Sequence, residues 1–287
     1  MTQTQTRAPA LAVTSLLVPL DGSSYAERAV WPACRMAARV GATVHLWSAA
    51  PSPAAAEGRR LRMRVLADAI GGSWEVVVAY EPLDGIRRAG DPAGLTVPCL
   101  ATHGDNRNAG LVHSVSSAVV AASEGPVLLA GPAVSPEAPT GGTVAVCVDG
   151  TLESEAVMPV AISWAAALGS DVTVLTVAEP VPESLRHPGD YPRRHGPRID
   201  ADDYVGEIAR SWQDGITIRG KAIYDAVDVR SALVDEVVAI QPALVVIGTH
   251  SPHGLRRLIS GNTAAAVAHG SPALVLVVPL GAFVATR

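Results

Sequence analysis

Two apolar runs of the chain end in the same way. Leu17-Val18-Pro19-Leu20 leads into Asp21-Gly22-Ser23, and Ala145-Val146-Cys147-Val148 leads into Asp149-Gly150-Thr151. An unbroken apolar run closed by Asp-Gly-hydroxyl predicts a buried strand, a turn and the cap of a helix. The helix that follows carries Ala29-Val30-Trp31-Pro32 in one case and Ala156-Val157-Met158-Pro159 in the other, and ends at Gly41 or Gly169, since a glycine suits a helix C-terminus. A second strand is predicted next, over 43–47 and over 171–177.

The likeness returns late in each half. Ala101-Thr102-His103-Gly104 answers Gly248-Thr249-His250-Ser251, and Gly125-Pro126-Val127-Leu128-Leu129 answers Ser271-Pro272-Ala273-Leu274-Val275. The offset is 128 from Asp21 to Asp149 and 147 from Ala101 to Gly248, so the second half carries about 19 extra residues. The segment 180–203, rich in Pro, Arg, His and Asp, is the place for them. It reads as a mobile surface loop, with a partner-docking role as the alternative. Residues 131–142 have the composition of a linker. The chain is therefore expected to hold two domains, 1–135 and 136–287.

Each half reads β-α-β-α-β-α-β-α-β, with second-half strands at 143–148, 171–177, 216–224, 243–248 and 273–278. Runs such as Ala243-Leu244-Val245-Val246-Ile247 suit strands covered on both faces. The expected fold class is α/β: two tandem doubly wound, Rossmann-like domains, each with a mostly parallel five-stranded sheet. Ligands of such sheets enter at the carboxyl ends of the strands, near the topological switch point. That places Asp149 with the loop after Gly248, and Asp21 with the loop after Ala101. Pro98 is expected to interrupt the strand before that second loop.

The chemistry concentrates in Gly248-Thr249-His250-Ser251-Pro252-His253-Gly254 and in Gly261-Asn262-Thr263, which opens a helix. A glycine at a strand end allows a sharp turn and a close backbone approach. The helix start aims unpaired N–H groups and a positive dipole end at what lies before it, a setting for phosphates.

Here the sequence resembles tandem-domain universal stress proteins of the actinobacterial type. ATP-binding members carry G-x2-G-x9-G-(S/T) in this place, then an apolar last strand. The chain offers Gly248-x2-Ser251-x9-Gly261-Asn262, then Pro272-Ala273-Leu274-Val275-Leu276-Val277-Val278. The spacing is kept, with Ser251 for the second glycine and Asn262 for the hydroxyl residue. A serine forced into a left-handed backbone costs about 1–2 kcal/mol. Asn262 retains an amide donor, and Thr263 supplies a hydroxyl one residue on.

The first half departs further. Ala101 stands for the first glycine and His113-Ser114 for the Gly-Ser pair, and the gap after Gly104 is one residue short. Asp21-Gly22-Ser23, Thr102-His103-Gly104 and Ser114-Val115 still match the family's elements.

The resemblance implies an adenine nucleotide alpha hydrolase-like fold and a stress-response role without catalysis. It implies ATP binding, weak and mainly in the second half, at Asp149, Gly150, Val177, Gly248, Ser251, Gly254, Gly261, Asn262 and Thr263. Asp21 and Asp149 match an aspartate near adenine and ribose, and Val177 a position whose backbone meets the adenine. A need for magnesium is left open. It also implies an internal pseudo-dimer paired through the last strands, 127–129 and 273–278, with further self-association and an unidentified protein partner left open. A nucleotide-independent interaction protein is the alternative. An ATPase or nucleotidyl-transfer enzyme is a third reading, for which the loop shows no carboxylates placed for magnesium.

Composition trims these readings. One Phe and a net charge of −5 speak against a nucleic-acid partner, which needs stacking platforms and clustered cations. Cys34, Cys99 and Cys147 are odd in number and widely spaced, which suggests buried thiols in a reducing compartment. No basic segment followed by an apolar stretch opens the chain, and the run 273–285 is broken by Pro279 and Gly281. A cytoplasmic protein without a membrane partner is expected. No Gly-x-Ser-x-Gly elbow, Walker loop or G-x-G-x-x-G fingerprint follows a predicted strand. His250 and His253 lack a third metal ligand at suitable spacing, and Arg256 and Arg257 suit a solvated loop face as well as a phosphate.

Overall fold

The structure, a computed structural model, describes residues 12–79, 82–89, 95–102, 115–135, 142–178, 200–213, 215–225, 228–249 and 263–280. The first half runs β1 (Ser15–Pro19), α1 (Ser24–Glu27), α2 (Val30–Val40), β2 (Thr43–Ala50), α3 (Pro53–Ile70), β3 (Ser73–Val78), α4 (Pro82–Ala89), β4 (Thr96–Ala101), α5 (Val115–Ala122) and β5 (Val127–Ala130). The second runs β6 (Thr143–Cys147), α6 (Leu152–Glu155), α7 (Met158–Leu168), β7 (Asp171–Ala178), α8 (Ala201–Trp212), β8 (Ile218–Tyr224), α9 (Val229–Ile240), β9 (Leu244–Thr249), α10 (Thr263–Gly270) and β10 (Val275–Pro279).

The expected pair of five-stranded sheets is corrected by a single ten-stranded sheet, in the order β3-β2-β1-β4-β5-β10-β9-β6-β7-β8. Within each half the pairings are parallel and the order reverses beside the first strand, as in a doubly wound fold. The seam between halves is antiparallel, with Leu129 opposite Val275, Leu128 opposite Leu276 and Val127 opposite Val277. Its cause lies in the edge strands. Each half alone would end on a strand of apolar residues with one row of backbone groups unmet, and pairing the two ends meets both rows. Leu129 and Val275, equivalent by the repeat, face one another, so the seam carries a local two-fold axis.

Side chains alternate between two cores, and each core spans both halves. Leu16, Val18, Val144, Val146, Leu276 and Val278 join one, under α2, α3, α7 and α8. Leu17, Ala145, Cys147, Val275 and Val277 join the other, under α4, α5, α9 and α10. Across the seam α2 also packs on α7, where the Arg39 guanidinium donates to the Leu168 carbonyl. No helix among the described residues is long and apolar enough to cross a membrane.

Three local readings change. β4 runs through Pro98, which pairs with Leu17, and the register with β5 begins only at Cys99. β2 extends to Ala50, three residues beyond the predicted end. Within 180–203, Asp200 caps α8 by accepting from the Asp203 amide at 2.8 Å, so the last residues are helix rather than loop; residues 179–199 lie outside the described residues, as do 136–141 of the linker.

All three cysteines are free, with Cys99 and Cys147 buried and Cys34 half-buried. Burial pushes the Cys99 and Cys147 thiols from 9.0 up to about 12. Between those values the unfolded chain sheds these protons while the folded chain keeps them, so stability falls as pH rises from 9 to 12. Urea midpoints across that window are expected to fall less steeply for Cys147→Ala than for the parent. Equal slopes would remove this thiol from the account.

Candidate functional site

The two Asp-Gly-hydroxyl turns fold alike. Asp21 Oδ1 accepts from the Ser23 amide at 2.8 Å, and Asp149 Oδ1 accepts from the Thr151 amide at 3.0 Å and from its hydroxyl at 2.6 Å. Both turns need a left-handed residue, supplied by Gly22 (φ 90°) and Gly150 (φ 84°). Ser23 Oγ then accepts from the Ala26 amide at 3.2 Å and Thr151 Oγ1 from the Ser154 amide at 3.1 Å, capping α1 and α6. Both aspartates are exposed.

Register sets what lies beside each turn. Cys147 pairs with Ile247, which brings Asp149 level with Thr249 at the carboxyl edge of the second half. Leu17 pairs with Pro98, which brings Asp21 level with Thr102 in the first. Thr102 is buried and donates its amide to the Ala130 carbonyl at 2.9 Å, and its hydroxyl meets no partner among the described residues. Val177 lies near the end of β7, half-buried and paired with Ile223. Thr263 opens α10, which packs on α9, and Val115 opens α5. Gly248 pairs with Val278, and a Cβ there would lie 2.9 Å from the Leu280 side chain. The glycine thus admits Leu280 against the strand. His103, Gly104, Ser114, Ser251, Gly254, Gly261 and Asn262 lie outside the described residues, with His250 and His253. Among the described residues no three His, Cys, Asp or Glu side chains gather where they could hold a metal ion.

Behind each turn stands a second layer of polar groups that pattern reading missed. Glu27, at the end of α1, forms an ion pair with Arg62 of α3. Glu155, at the end of α6, is buried and lies against Tyr204 of α8. Burial first, and the Glu155 carboxylate next, push the Tyr204 phenol well above its ordinary value. On β2, Ser48 Oγ donates to the Leu20 carbonyl at 2.6 Å, and the Arg59 guanidinium donates to Ser48 Oγ at 3.2 Å and to the Ala49 carbonyl. The repeat held the signal, since a glutamate follows each Asp-Gly-hydroxyl at the same distance.

Comparison with known proteins agrees with this architecture. Residues 142–279 match the model of the universal stress protein family. A universal stress protein from Archaeoglobus fulgidus is similar in structure over 93% of this chain and 98% of its own, at 16% identity and a TM-score of 0.68. A functionally unknown protein from Pseudomonas aeruginosa is similar over 96% of each chain, at 16% identity and a TM-score of 0.57. At such identities the likeness is one of fold. No curated protein matches the chain by sequence. The second half thus matches the universal stress protein family, and the whole chain shares the fold of a solved universal stress protein.

Proposed function

We propose that the chain is a stress-response protein of the tandem, actinobacterial type, without catalytic activity, whose domains 1–135 and 136–287 pack as an internal pseudo-dimer. It binds an adenine nucleotide, ATP in the first place, weakly and mainly through the second half. The observation that carries this reading is the register of β6 on β9, which sets the Asp149 turn level with the end of β9 on the edge where doubly wound sheets take their ligands. From that edge the chain goes on to α10, whose first turn offers N–H groups to an anion. Ser251, Gly254, Gly261 and Asn262 complete the proposed phosphate contacts, and Val177 the contact to the base.

Calorimetry with ATP and magnesium is expected to give a binding isotherm at millimolar nucleotide, lost in Gly261→Glu, which sets a carboxylate among the phosphates. Heat no greater than dilution would sink the proposal.

One pair of observations favours a second reading, a nucleotide-independent interaction protein. Leu280 fills the space beside Gly248, and Asp149 spends one oxygen on its own turn. On that reading Gly261→Glu leaves function in cells intact.

A further inference from the structure

We propose that the outward face of α3 is a contact surface for a second copy of this chain, the two α3 helices packing antiparallel on a two-fold axis beside Leu61. Leu61 and Val65 are 61% and 59% exposed, the two most exposed large apolar side chains among the described residues. Each stands two residues from buried Met63, and so on the side of the helix turned away from the sheet. Ala54 and Gly58, both exposed, continue the stripe at helical spacing. A glycine within a helix weakens it, and a Cβ on Gly58 would meet open space. The chain's own packing gives no reason for this glycine. A second helix passing close over it would.

The other half of the chain offers an internal comparison. Glu27 meets Arg62 of α3 and Glu155 meets Tyr204 of α8, which aligns the two helices. On that alignment Asp203 and Glu207 stand where α3 has Leu61 and Val65, and Asp200 where it has Gly58. The same outer face is acidic in one half and apolar in the other, and an exposed apolar stripe marks a surface to be covered. The charges beside the stripe fit it to its own copy. Glu57 and Arg64 lie on one flank, four residues before Leu61 and three after it. About an axis at Leu61 each comes within one helical rise, about 1.5 Å, of level with the opposite charge of the second copy, and the pair forms twice. Arg64 forms no ion pair among the described residues, and Glu57 is exposed beside Arg60. Val65 then falls between Gly58 and Ala54 of the second copy, which are small enough to admit it. Asp68 reaches the N-terminal end of the other α3, where the helix dipole favours a carboxylate. Arg62, on the opposite flank, is already met by Glu27.

The test is sedimentation of the full chain over a range of concentrations, without nucleotide. One helix pair is a small interface, so the parent is expected to show a monomer–dimer equilibrium in the micromolar range. Leu61→Asp and Val65→Glu give α3 what α8 carries at the same places, and so leave the fold intact, as an unchanged urea midpoint would verify. Leu61→Asp is expected to weaken the dimer at least about tenfold, because two carboxylates would meet on the axis. Glu57→Arg or Arg64→Glu alone should weaken it as well, and the two together should restore it. A parent that stays monomeric at every concentration overturns the proposal and leaves the face to a different protein. A dimer indifferent to Leu61→Asp and Val65→Glu overturns it too, since the contact would lie elsewhere. A dimer that both single charge variants weaken and the double variant fails to restore overturns the antiparallel pairing.

Discussion

Leu276→Ala is expected to lower stability by about 2–5 kcal/mol, the range for emptying a buried leucine position. Leu276 is wholly buried and lies opposite Leu128, also wholly buried, across the antiparallel seam. The cavity would open between two strands that contribute to cores shared by both halves, and close packing on all sides limits how far it can collapse. Loss should therefore be felt beyond the half that carries the substitution. The tryptophans provide the readout, with Trp31, Trp47 and Trp74 in the first half and Trp164 and Trp212 in the second. Urea unfolding followed by fluorescence should show the midpoint falling for the chain as one unit. A loss below about 1 kcal/mol would mean that the seam is not packed as described.

Gly131→Ala should cost about 3 kcal/mol, the upper end for overfilling a packed site. Gly131 follows β5, and a Cβ placed on it would lie 1.9 Å from the Ala268 carbonyl oxygen and 3.0 Å from its carbon. Those atoms are backbone of α10, in the other half, and no side chain can swing aside to relieve the contact. The strand end or the helix must move, and either motion strains the seam beside it. Calorimetric melts of parent and variant measure the cost, and an unchanged midpoint would refute the contact.

Much of this architecture is written in the repeat. Asp21-Gly22-Ser23 and Asp149-Gly150-Thr151 announce strand, turn and cap, and the folded turns agree down to the amides that each hydroxyl accepts. Gly41 and Gly169 end α2 and α7 as predicted. These features are local, set by backbone preferences within a few residues. Pro98 was misleading because its missing donor matters only on the side where a ladder bond is due, and that side depends on neighbours far along the chain. The merging of the sheets has the same character: nothing within 127–130 or 275–279 says what will cover an edge. The Asp200 cap was missed although its signal is local, since Asp200 stands three residues before an acidic Asp203. Arg59 escaped notice because an arginine in a helix with Arg60, Arg62 and Arg64 reads as one more solvated charge until the fold turns it toward Ala49.

The antiparallel seam also decides which way the molecule looks. Strands of the first half and strands of the second point in opposite directions, so the ends of β1 and β4 open on one rim of the sheet and those of β6 and β9 on the far rim. A molecule seated at one mouth cannot touch the other, and a protein docked over one rim leaves its twin uncovered. The chain is thus two-ended, and any message passing between its ends has to cross the seam, through the β5–β10 pairing or the α2–α7 contact.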